Sequence, residues 1–423
     1  MSLPSRPAPP PSRVTVVGTG LAGLRTAAEL RAQGFAGVLT VVGAESLPPY
    51  DRPPLSKELF SRTEPVWLAD EGYGELPALA DELLVGHRAV HLEADDDDAR
   101  LAVDSPDGRR EVASDVVVLA TGAGALTVPG WRDVLTLHDP DDAERLRERL
   151  RPGVRLAVIG AGWIGAELAS VAAEQGAHVT VLEGGPVPLG HVLGPDVGEL
   201  VVPWYEAHGV ELRCGATVTG ADAEGVELAD GERLAADVVV AAVGVRPHTR
   251  WLSGALPLTP RGAVPVDLAG RVRGGPASVR AVGDCADRTS PRDGLVAGAH
   301  WDGALNHPSA LVADLLGTSG APAPDPAPYV FSTQLGHDLT VVGQVPPGAE
   351  VVLRGEPGAG PWTALYVTRD ADGTSRLRAG LTVDRPRDVG PLRKALSAPR
   401  HPAVDVAAAS DPSVQLRKTL TPA

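Results

Sequence analysis

The chain has 423 residues, of which 43% are hydrophobic and 22% charged, as in ordinary globular proteins. One hydrophobic core rarely organises so many residues, so we expect two or three domains. The formal net charge of −16 excludes general nucleic-acid or anionic-membrane binding, although a local basic docking patch remains compatible with it. No apolar run is long enough to span a bilayer.

Only two cysteines occur, Cys214 and Cys285, and they form no Cys-x-x-Cys pair. This usage argues against a disulfide framework, a zinc site or a dithiol relay. No metal site is predicted. Residues 1–12 are rich in Pro, Ser and Ala and lack the apolar stretch of a secretory signal. We therefore expect a disordered leader and a cytoplasmic protein.

The first predicted elements form a dinucleotide-binding unit. A β-branched strand, Arg13–Val17, is followed by the loop GTGLAG at residues 18–23, a helix over residues 24–33 and a stop at Gly34. A strand over residues 38–42 then leads to Glu45. Strand, glycine loop, helix and strand in this order are typical of a Rossmann-like βαβ unit.

Two longer strands return to complete such folds, one in each half of the chain. Residues 115–120 precede Thr121 and Gly122, and residues 237–243 precede Gly244. Between them the βαβ order recurs: strand Arg155–Ile159, the loop GAGWIG at residues 160–165, a helix ending near Gly176, and a strand over residues 177–182 leading to Glu183.

A glycine loop of this kind places phosphates at the start of a helix. The first glycine makes the tight turn, the second lets the backbone approach the pyrophosphate, and the third allows helix and strand to pack closely. One loop is weak support in a chain with 49 glycines, but two complete units are strong support. The residues assigned to them are Gly18, Gly20, Leu21, Ala22, Gly23 and Glu45, and Gly160, Gly162, Trp163, Ile164, Gly165 and Glu183.

The acids after the second strands, Glu45 and Glu183, are placed to bind ribose hydroxyls. Glu183 would repel a 2′-phosphate, and the following Gly184, Gly185 and Pro186 offer no arginine to bind one. The second site is therefore predicted to prefer NADH over NADPH.

The remaining chain predicts a third, smaller domain. A strand over residues 279–282 leads into GDCAD at 283–287, a helix covers 300–316, and a proline-rich linker covers 322–328. From Tyr329 onward β-like runs at 339–345, 351–354, 363–368 and 377–383 precede a helix at 389–396.

The predicted fold class is α/β, with two Rossmann-like domains of the glutathione-reductase-like kind and a C-terminal α+β domain. The first dinucleotide-binding domain would comprise 13–122 and 248–325, the second 123–247, and the C-terminal domain 326–423.

A specific family resemblance begins at PYDRPPLSKELF, residues 49–60. Together with both glycine loops, ATG at 120–122, GVRP at 244–247 and GDCAD, it resembles the FAD-dependent NAD(P)H:ferredoxin reductases, putidaredoxin-reductase-like enzymes that serve bacterial cytochromes P450 and Rieske oxygenases. The tail motifs LRKAL at 392–396 and SDPSVQLRKTL at 410–420 extend the resemblance over nearly the whole chain. It implies that the domain of residues 13–122 and 248–325 is the FAD-binding domain and that residues 123–247 form the NAD(H)-binding domain. It also implies a monomer or weak dimer that passes electrons from NADH through FAD to a [2Fe–2S] ferredoxin.

The resemblance also implies roles for individual residues. Lys57 would lie beside the flavin near N5, and Glu167 would face the nicotinamide and that lysine, so that each holds the other charged. The alternatives are a solvated amine for Lys57 and an exposed helical acid for Glu167. Asp284 would bond the flavin ribityl chain or would only form a turn. Further cofactor contacts are assigned to Arg52, Val90, Ala120, Thr121, Gly122, Val243, Gly244, Gly283, His300, Trp301 and Phe331.

The chain departs from the family pattern where an iron–sulfur partner would approach the flavin. The family's Arg-x-Glu-x-Trp has Ala297 and Ala299 in place of its charged residues but keeps Trp301. The family's Trp-Ser-Asp-Gln reads Phe331 to Gln334, and residues 123–126 lack the usual arginines. FAD binding is expected to survive on other contacts.

Three hypotheses follow. The first is a ferredoxin reductase, the second an NADH-dependent biosynthetic flavoenzyme acting directly on a small molecule in the space opened at Ala297, Ala299 and Phe331, and the third a redox-sensing flavoprotein resembling apoptosis-inducing factor. Disulfide reductase activity is excluded, because the helix after the first loop contains no cysteine pair.

Overall fold

The computed structural model describes residues 10–298, 300–320 and 322–422. Residues 1–9 of the expected leader and Ala299 therefore lie outside the described chain. The chain divides into two compact units. The first unit consists of Met1–Asp51, Val66–Gly124 and Arg246–Asp325, and the second of Arg52–Pro65, Ala125–Val245 and Pro326–Ala423.

The first unit is built on a five-stranded parallel sheet. Its strands are short β-branched runs, and all four residues of Val116–Leu119 are buried, as expected when helices or further chain cover both faces. The strand order is Val279–Ala281, Val116–Leu119, Arg13–Val17, Val38–Gly43 and Glu82–Val85.

Two long helices, Leu21–Ala32 and Trp301–Leu315, pack together beside this sheet. Leu24, Leu30 and Leu311 enter one apolar cluster with sheet residues such as Val16. The remaining elements of the first unit are the antiparallel strands Arg88–Ala94, Ala99–Ser105 and Gly108–Ser114, the sheet of Val264–Val266, Ala286–Ser290 and Gly294–Val296, the pair Tyr50–Asp51 and Val66–Trp67, helix Leu76–Leu79, and the 3-10 turns Arg250–Leu252 and Gly283–Cys285.

The second unit contains a four-stranded parallel sheet, ordered Val210–Cys214, His178–Glu183, Arg155–Ile159 and Val238–Ala241. Its other elements, apart from the C-terminal sheet and its helices, are helices Pro54–Lys57, Pro140–Arg149, Trp163–Glu174, Gly190–Leu193 and Pro195–Ala207, and strands Val218–Asp222, Gly225–Leu228 and Arg233–Ala235. Short strands Ala123–Ala125 and Val245–Pro247 lie at the unit boundaries in the sequence.

An antiparallel sheet follows in the second unit, with Tyr329–Gln334 at its edge and then His337–Gly343, Ser375–Val383, Trp362–Arg369 and Glu350–Arg354. Small strands Ala403–Val404 and Leu420–Thr421 extend it, and helices Pro386–Leu396 and Val406–Ser410 and the turn Leu416–Lys418 complete the chain. Both sheets of this unit contribute to one apolar cluster, for example through Val158 and Leu381.

Most predicted elements are present, with shifted ends. The first long helix begins at Leu21 instead of residue 24, because the glycine loop itself closes into the first helical turn. The strand expected at 339–345 spans His337–Gly343, and strand Tyr329–Gln334 was not delimited by its sequence pattern. The three-domain division stays a prediction. None of the helices within the described ranges is long and apolar enough to cross a membrane.

Candidate functional site

The first glycine loop has the shape that a bound pyrophosphate requires. Gly18 has φ +127°, and a Cβ there would lie 2.0 Å from the Ala120 carbonyl oxygen. A Cβ on Gly23 would lie 1.8 Å from the Gly18 carbonyl oxygen, so both positions exclude any larger residue. A Cβ on Gly20 would meet no described atom within 4 Å. The loop is thus closed at its ends and open at its centre, beside the free N–H groups of the helix starting at Leu21.

Two predicted segments border this loop within the first unit. A Cβ on Gly283, which has φ +77°, would lie 2.8 Å from the Ala22 Cβ, so the GDCAD turn reaches the start of the helix. Asp284 is partly exposed in that turn, and Gly122, at the end of ATG, has φ +66°. The structure therefore brings Gly18, Ala22, Ala120 and Gly283 together.

Two other predicted cofactor residues of the first unit, Glu45 and Trp301, form hydrogen bonds with strand Tyr50–Asp51. Glu45 is exposed and accepts a hydrogen bond from the Tyr50 hydroxyl at 2.9 Å. The Trp301 indole N–H donates to the Asp51 carboxylate at 2.7 Å. Each bond fixes one predicted cofactor residue against the same short strand, Tyr50–Asp51.

His300 offers an unused polar atom in the first unit. Its Nδ1 is buried and has no hydrogen-bond partner among the described residues. Burial, followed by the positive charges of Arg261 and Arg288, lowers the pKa of His300 to about 4, so the ring is neutral at pH 7. Because buried polar groups are normally satisfied, this nitrogen fits a site that holds a polar ligand such as FAD.

The second glycine loop repeats the geometry of the first. Gly160 has φ +104°, with the Ala242 carbonyl oxygen 2.5 Å from the position of a Cβ. A Cβ on Gly165 would lie 2.1 Å from the Gly160 carbonyl oxygen, whereas one on Gly162 would meet no described atom within 4 Å. Helix Trp163–Glu174 starts directly after Gly162 and has no acidic side chain in its first turn. This loop is likewise suited to a pyrophosphate.

Glu183 is held against the second loop. Its Oε2 accepts a hydrogen bond from the Ala161 backbone N–H at 2.8 Å, and its Oε1 accepts one from the Gly185 N–H at 2.7 Å. A carboxylate oxygen has two acceptor positions, so both oxygens can still bind a ribose hydroxyl. The carboxylate is therefore oriented before any ligand binds.

Lys57 and Glu167 form an ion pair in the second unit, although 110 residues separate them in sequence. Glu167 is 4% exposed, so its interpretation as an exposed helical acid is wrong. The Lys57 side chain is 18% exposed and its Nζ lies 5.4 Å from the centre of the Phe331 ring, so it is no freely solvated amine either. Their position beside a flavin stays a prediction.

Apolar side chains remain exposed next to this pair and its loop. Ile164 is 36% exposed and precedes Glu167 by three residues on the same helix face. Val243, whose Cα lies 3.6 Å from the position of a Cβ on Gly160, and Phe331 are each 37% exposed. Exposed apolar groups around a charged pair suit a site that covers an aromatic ligand ring.

The remaining predicted residues have the following positions in the two units. Arg52 donates to the His138 carbonyl oxygen at 2.7 Å in the second unit. Val90 lies at an irregularity in the pairing of its strand in the first unit. Thr121 is partly exposed, Trp163 opens its helix, and Gly244 has φ +106°.

In the segment after ATG, which lacks the arginines of the family pattern, the ring of His248 packs against Gly124 in the first unit. A Cβ on Gly124 would lie 2.6 Å from the His248 ring, so the imidazole occupies the space of a side chain at that position.

Sequence reasoning missed two residues of the Glu167 cluster. The hydroxyls of Ser56 and Ser332 both donate to the Glu167 carboxylate, each at 2.5 Å. Ser56 stands directly before Lys57 in PPLSK, and Ser332 is a residue that the altered Trp-Ser-Asp-Gln segment keeps. That retention was the available signal, but serine spacing alone does not reveal a partner 165 residues away.

Two glycine loops shaped for dinucleotides, each following a strand of a parallel sheet, and an ion pair between Lys57 and the buried Glu167 are typical of a nucleotide-binding oxidoreductase. The chain matches the pyridine nucleotide-disulphide oxidoreductase model over residues 12–303 and the reductase C-terminal model over residues 329–420. It belongs to the pyridine nucleotide-disulphide oxidoreductase family, and within it to the putidaredoxin-reductase-like ferredoxin reductases. The predicted family and α/β fold class are confirmed.

Relatives align along nearly the whole chain. It is 33% identical over 417 residues to the ferredoxin reductase component of chlorobenzene dioxygenase from Cupriavidus sp. (strain PS12), covering 96% of this chain and 97% of that one. It is 32% identical over 387 residues to the ferredoxin–NAD(+) reductase subunit of the benzene 1,2-dioxygenase system from Pseudomonas putida, covering 89% and 90%.

Solved structures give the same result. The crystal structure of Fdr9 superposes with a TM-score of 0.84 at 38% identity, covering 96% of this chain and 99% of that chain. The covalent putidaredoxin reductase–putidaredoxin complex superposes with a TM-score of 0.80 at 28% identity, covering 96% and 97%.

Proposed function

We propose that the chain is an NADH-dependent flavoprotein reductase that passes electrons through FAD to a [2Fe–2S] ferredoxin serving a cytochrome P450 or Rieske oxygenase. The observation that carries the proposal is the pair of glycine loops, each crowded at its first and third glycines and open at its second. Two dinucleotides can thus bind to one chain, which is the minimum for hydride transfer between a nicotinamide and a flavin.

FAD would occupy the first unit. The open centre at Gly20 and the helix start at Leu21 would receive its pyrophosphate, and Glu45 would accept hydrogen bonds from its ribose. Asp284 in the GDCAD turn and the Nδ1 of His300, which has no partner among the described residues, would supply polar contacts for the rest of the cofactor. When bound, the flavin supplies the chemistry that couples two-electron oxidation of NADH to one-electron transfer.

NADH would occupy the second loop, with its adenosine ribose at Glu183. The carboxylate is fixed by the Ala161 and Gly185 N–H groups and would repel a 2′-phosphate. Arg213, on the neighbouring strand, already binds Glu211 at 2.8 Å and Glu232 at 2.7 Å, so its charge is engaged by other acids. These contacts support preference for NADH over NADPH.

Lys57 and Glu167 would stand at the site of hydride transfer. The buried carboxylate holds the ammonium in place, and Phe331 lies within cation–π distance of the same nitrogen. A fixed positive charge with its counter-ion can stabilise negative charge that develops on an adjacent ring during reduction.

The names of the relatives support ferredoxin as the acceptor, since the two aligned oxygenase reductases are ferredoxin reductase components. The neighbour solved as a complex with putidaredoxin supports the same partner class. A cytoplasmic location is part of the proposal and is consistent with the two cysteines, Cys214 and Cys285, being free thiols.

The test is anaerobic reduction of the purified yellow protein with NADH, followed by addition of a ferredoxin panel with cytochrome c as reporter. We expect rapid bleaching of the flavin and faster cytochrome c reduction when a cognate ferredoxin is present. Rapid bleaching without acceleration by any ferredoxin would favour direct action on a small molecule. A long-lived flavin–NAD complex with slow turnover would favour the redox-sensing alternative.

A further inference from the structure

Three segments of the second unit meet at the Glu167 carboxylate. Ser56, on helix Pro54–Lys57, donates to Oε2 at 2.5 Å. Lys57, on the same helix, donates to Oε1, and so does Ser332, on strand Tyr329–Gln334, at 2.5 Å. The Glu167 side chain is 5% exposed, and its carboxylate accepts hydrogen bonds from all three donors.

The two hydroxyls and the ammonium play different parts. Lys57 supplies the opposite charge, whereas Ser56 and Ser332 are neutral and fix the carboxylate plane without cancelling its charge. They approach different oxygens, so together they oppose rotation about the last side-chain bond of Glu167. Without Ser332, Lys57 is the one remaining donor to Oε1 among the described residues.

The Ser332 hydroxyl is not needed to dock its strand on the helix. The Leu335 backbone N–H donates to the Ser170 hydroxyl at 3.0 Å, and Ser170 lies three residues after Glu167 on the same helix face. Leu335 and Leu339 also enter the large apolar cluster of the second unit. None of these contacts involves the Ser332 hydroxyl, so we expect them to persist when it is removed.

We propose that Ser332 is a positioning residue for hydride transfer, holding Glu167 so that its Oε1 stays on the Lys57 ammonium. Ser56 shares this role at the other oxygen. The inference rests on the proposed function, in which the Lys57–Glu167 pair stands at the site of hydride transfer. Through Ser332, a strand of the C-terminal sheet would contribute to hydride transfer.

The kinetic test compares Ser332→Ala, Ser332→Thr and Thr333→Ala as FAD-loaded proteins. Thr333 is the matched control, because it is on the same strand but is exposed and donates to Asp338 at 2.7 Å. We expect the limiting rate of flavin reduction by NADH to fall about tenfold in Ser332→Ala, the size expected for loss of one hydrogen bond to a charged group, with unchanged NADH affinity. Ser332→Thr should recover most of the rate, and Thr333→Ala should match the wild type.

The second readout is independent of activity. Lys57, Lys394 and Lys418 are the only lysines, so selective ¹⁵N labelling of lysine side chains gives a spectrum that Lys57→Met assigns directly. The Lys57 Nζ resonance should move in Ser332→Ala and stay in place in Thr333→Ala.

The two readouts separate the possible failures. An unmoved Lys57 resonance, or an unchanged limiting rate with a moved resonance, would overturn the role of Ser332. If the FAD-loaded wild type is not reduced by NADH at all, the proposed function fails and the positioning role falls with it. In that case the resonance shift still reports whether Ser332 orders the ion pair.

Discussion

Lys57 binds two groups of different character, the Glu167 carboxylate and the face of Phe331. Replacing it with methionine keeps much of the stem but removes the charge. We predict that Lys57→Met retains FAD and slows flavin reduction by NADH at least about tenfold, because one charge-stabilising contact is lost. Stopped-flow absorbance measures the rate, and Lys394→Met is the control. Reduction at the wild-type rate would show that Lys57 is not near the reacting atoms.

His300 and His307 make the first unit sensitive to acid. Burial is the main reason that the pKa of each falls from 6.5 to about 4. Arg261 and Arg288 lower the pKa of His300 further by charge repulsion, and Arg288 and His300 do the same for His307. Between these values the unfolded chain binds more protons than the folded one, so the free energy of unfolding falls as the pH falls. Above the ordinary pKa the stabilising contribution is complete.

Thermal unfolding from pH 7 down to 4.5 measures this loss. We predict that the His300→Gln, His307→Gln double variant loses less of its Tm than the wild type over that range. His191→Gln, an exposed site in the second unit, is the control. Equal losses in the double variant and the wild type would show that neither histidine titrates in this window.

The charged pair could be predicted from the sequence, but its surroundings could not. The PPLSK motif pointed to Lys57 and the second loop helix to Glu167, because each lies within or next to a motif. Ser332 depends on where a strand of the C-terminal sheet lies against a distant helix, and no local pattern encodes that distance. The unpartnered nitrogen of His300 likewise becomes visible only after burial is known.

Two glycines of the second loop, Gly165 and Gly162, should respond differently to replacement by alanine. Gly165→Ala places a Cβ 2.1 Å from the Gly160 carbonyl oxygen, so the helix must move away from its strand. We predict that it loses stability and reduction by NADH. Gly162→Ala meets no described atom and should leave the Tm unchanged, yet weaken NADH binding by occupying the pyrophosphate's space.

Thermal unfolding and the NADH concentration dependence of flavin reduction measure the two effects. Gly390→Ala is the control, because Gly390 is exposed on helix Pro386–Leu396, away from the loop, and a Cβ there also meets no described atom within 4 Å. Normal NADH affinity in Gly162→Ala would mean that no pyrophosphate sits at this turn.

Elements of the parallel sheets could be predicted closely, because their apolar runs are continuous and bounded by glycine. Strands Arg13–Val17 and Arg155–Ile159 have the expected bounds. Edge strand Tyr329–Gln334 was harder to delimit, since its residues alternate between burial and exposure and include three polar side chains. Its fixed position comes from contacts with the helix of the second loop, which are tertiary.

Across the whole molecule, charge is distributed unevenly: the chain before residue 326 is acidic, whereas the C-terminal region has slightly more basic than acidic residues. Residues 326–423 contain 11 Lys and Arg against 9 Asp and Glu, although the chain as a whole carries −16. A less acidic surface there would repel an acidic electron carrier less than the rest of the chain does. Ala297 and Phe331, which replace residues of the family pattern, also lie in segments where that pattern predicts the approach of the electron acceptor.

The stoichiometry of electron transfer tests the central claim most directly. NADH gives up two electrons and a [2Fe–2S] ferredoxin accepts one, so an anaerobic titration should reduce about two ferredoxins per NADH oxidised. It should do so at a catalytic amount of the FAD-loaded protein, and NADPH should support a much lower rate. Oxidation of NADH without ferredoxin reduction, across a panel of [2Fe–2S] ferredoxins, would contradict the assignment as a ferredoxin reductase.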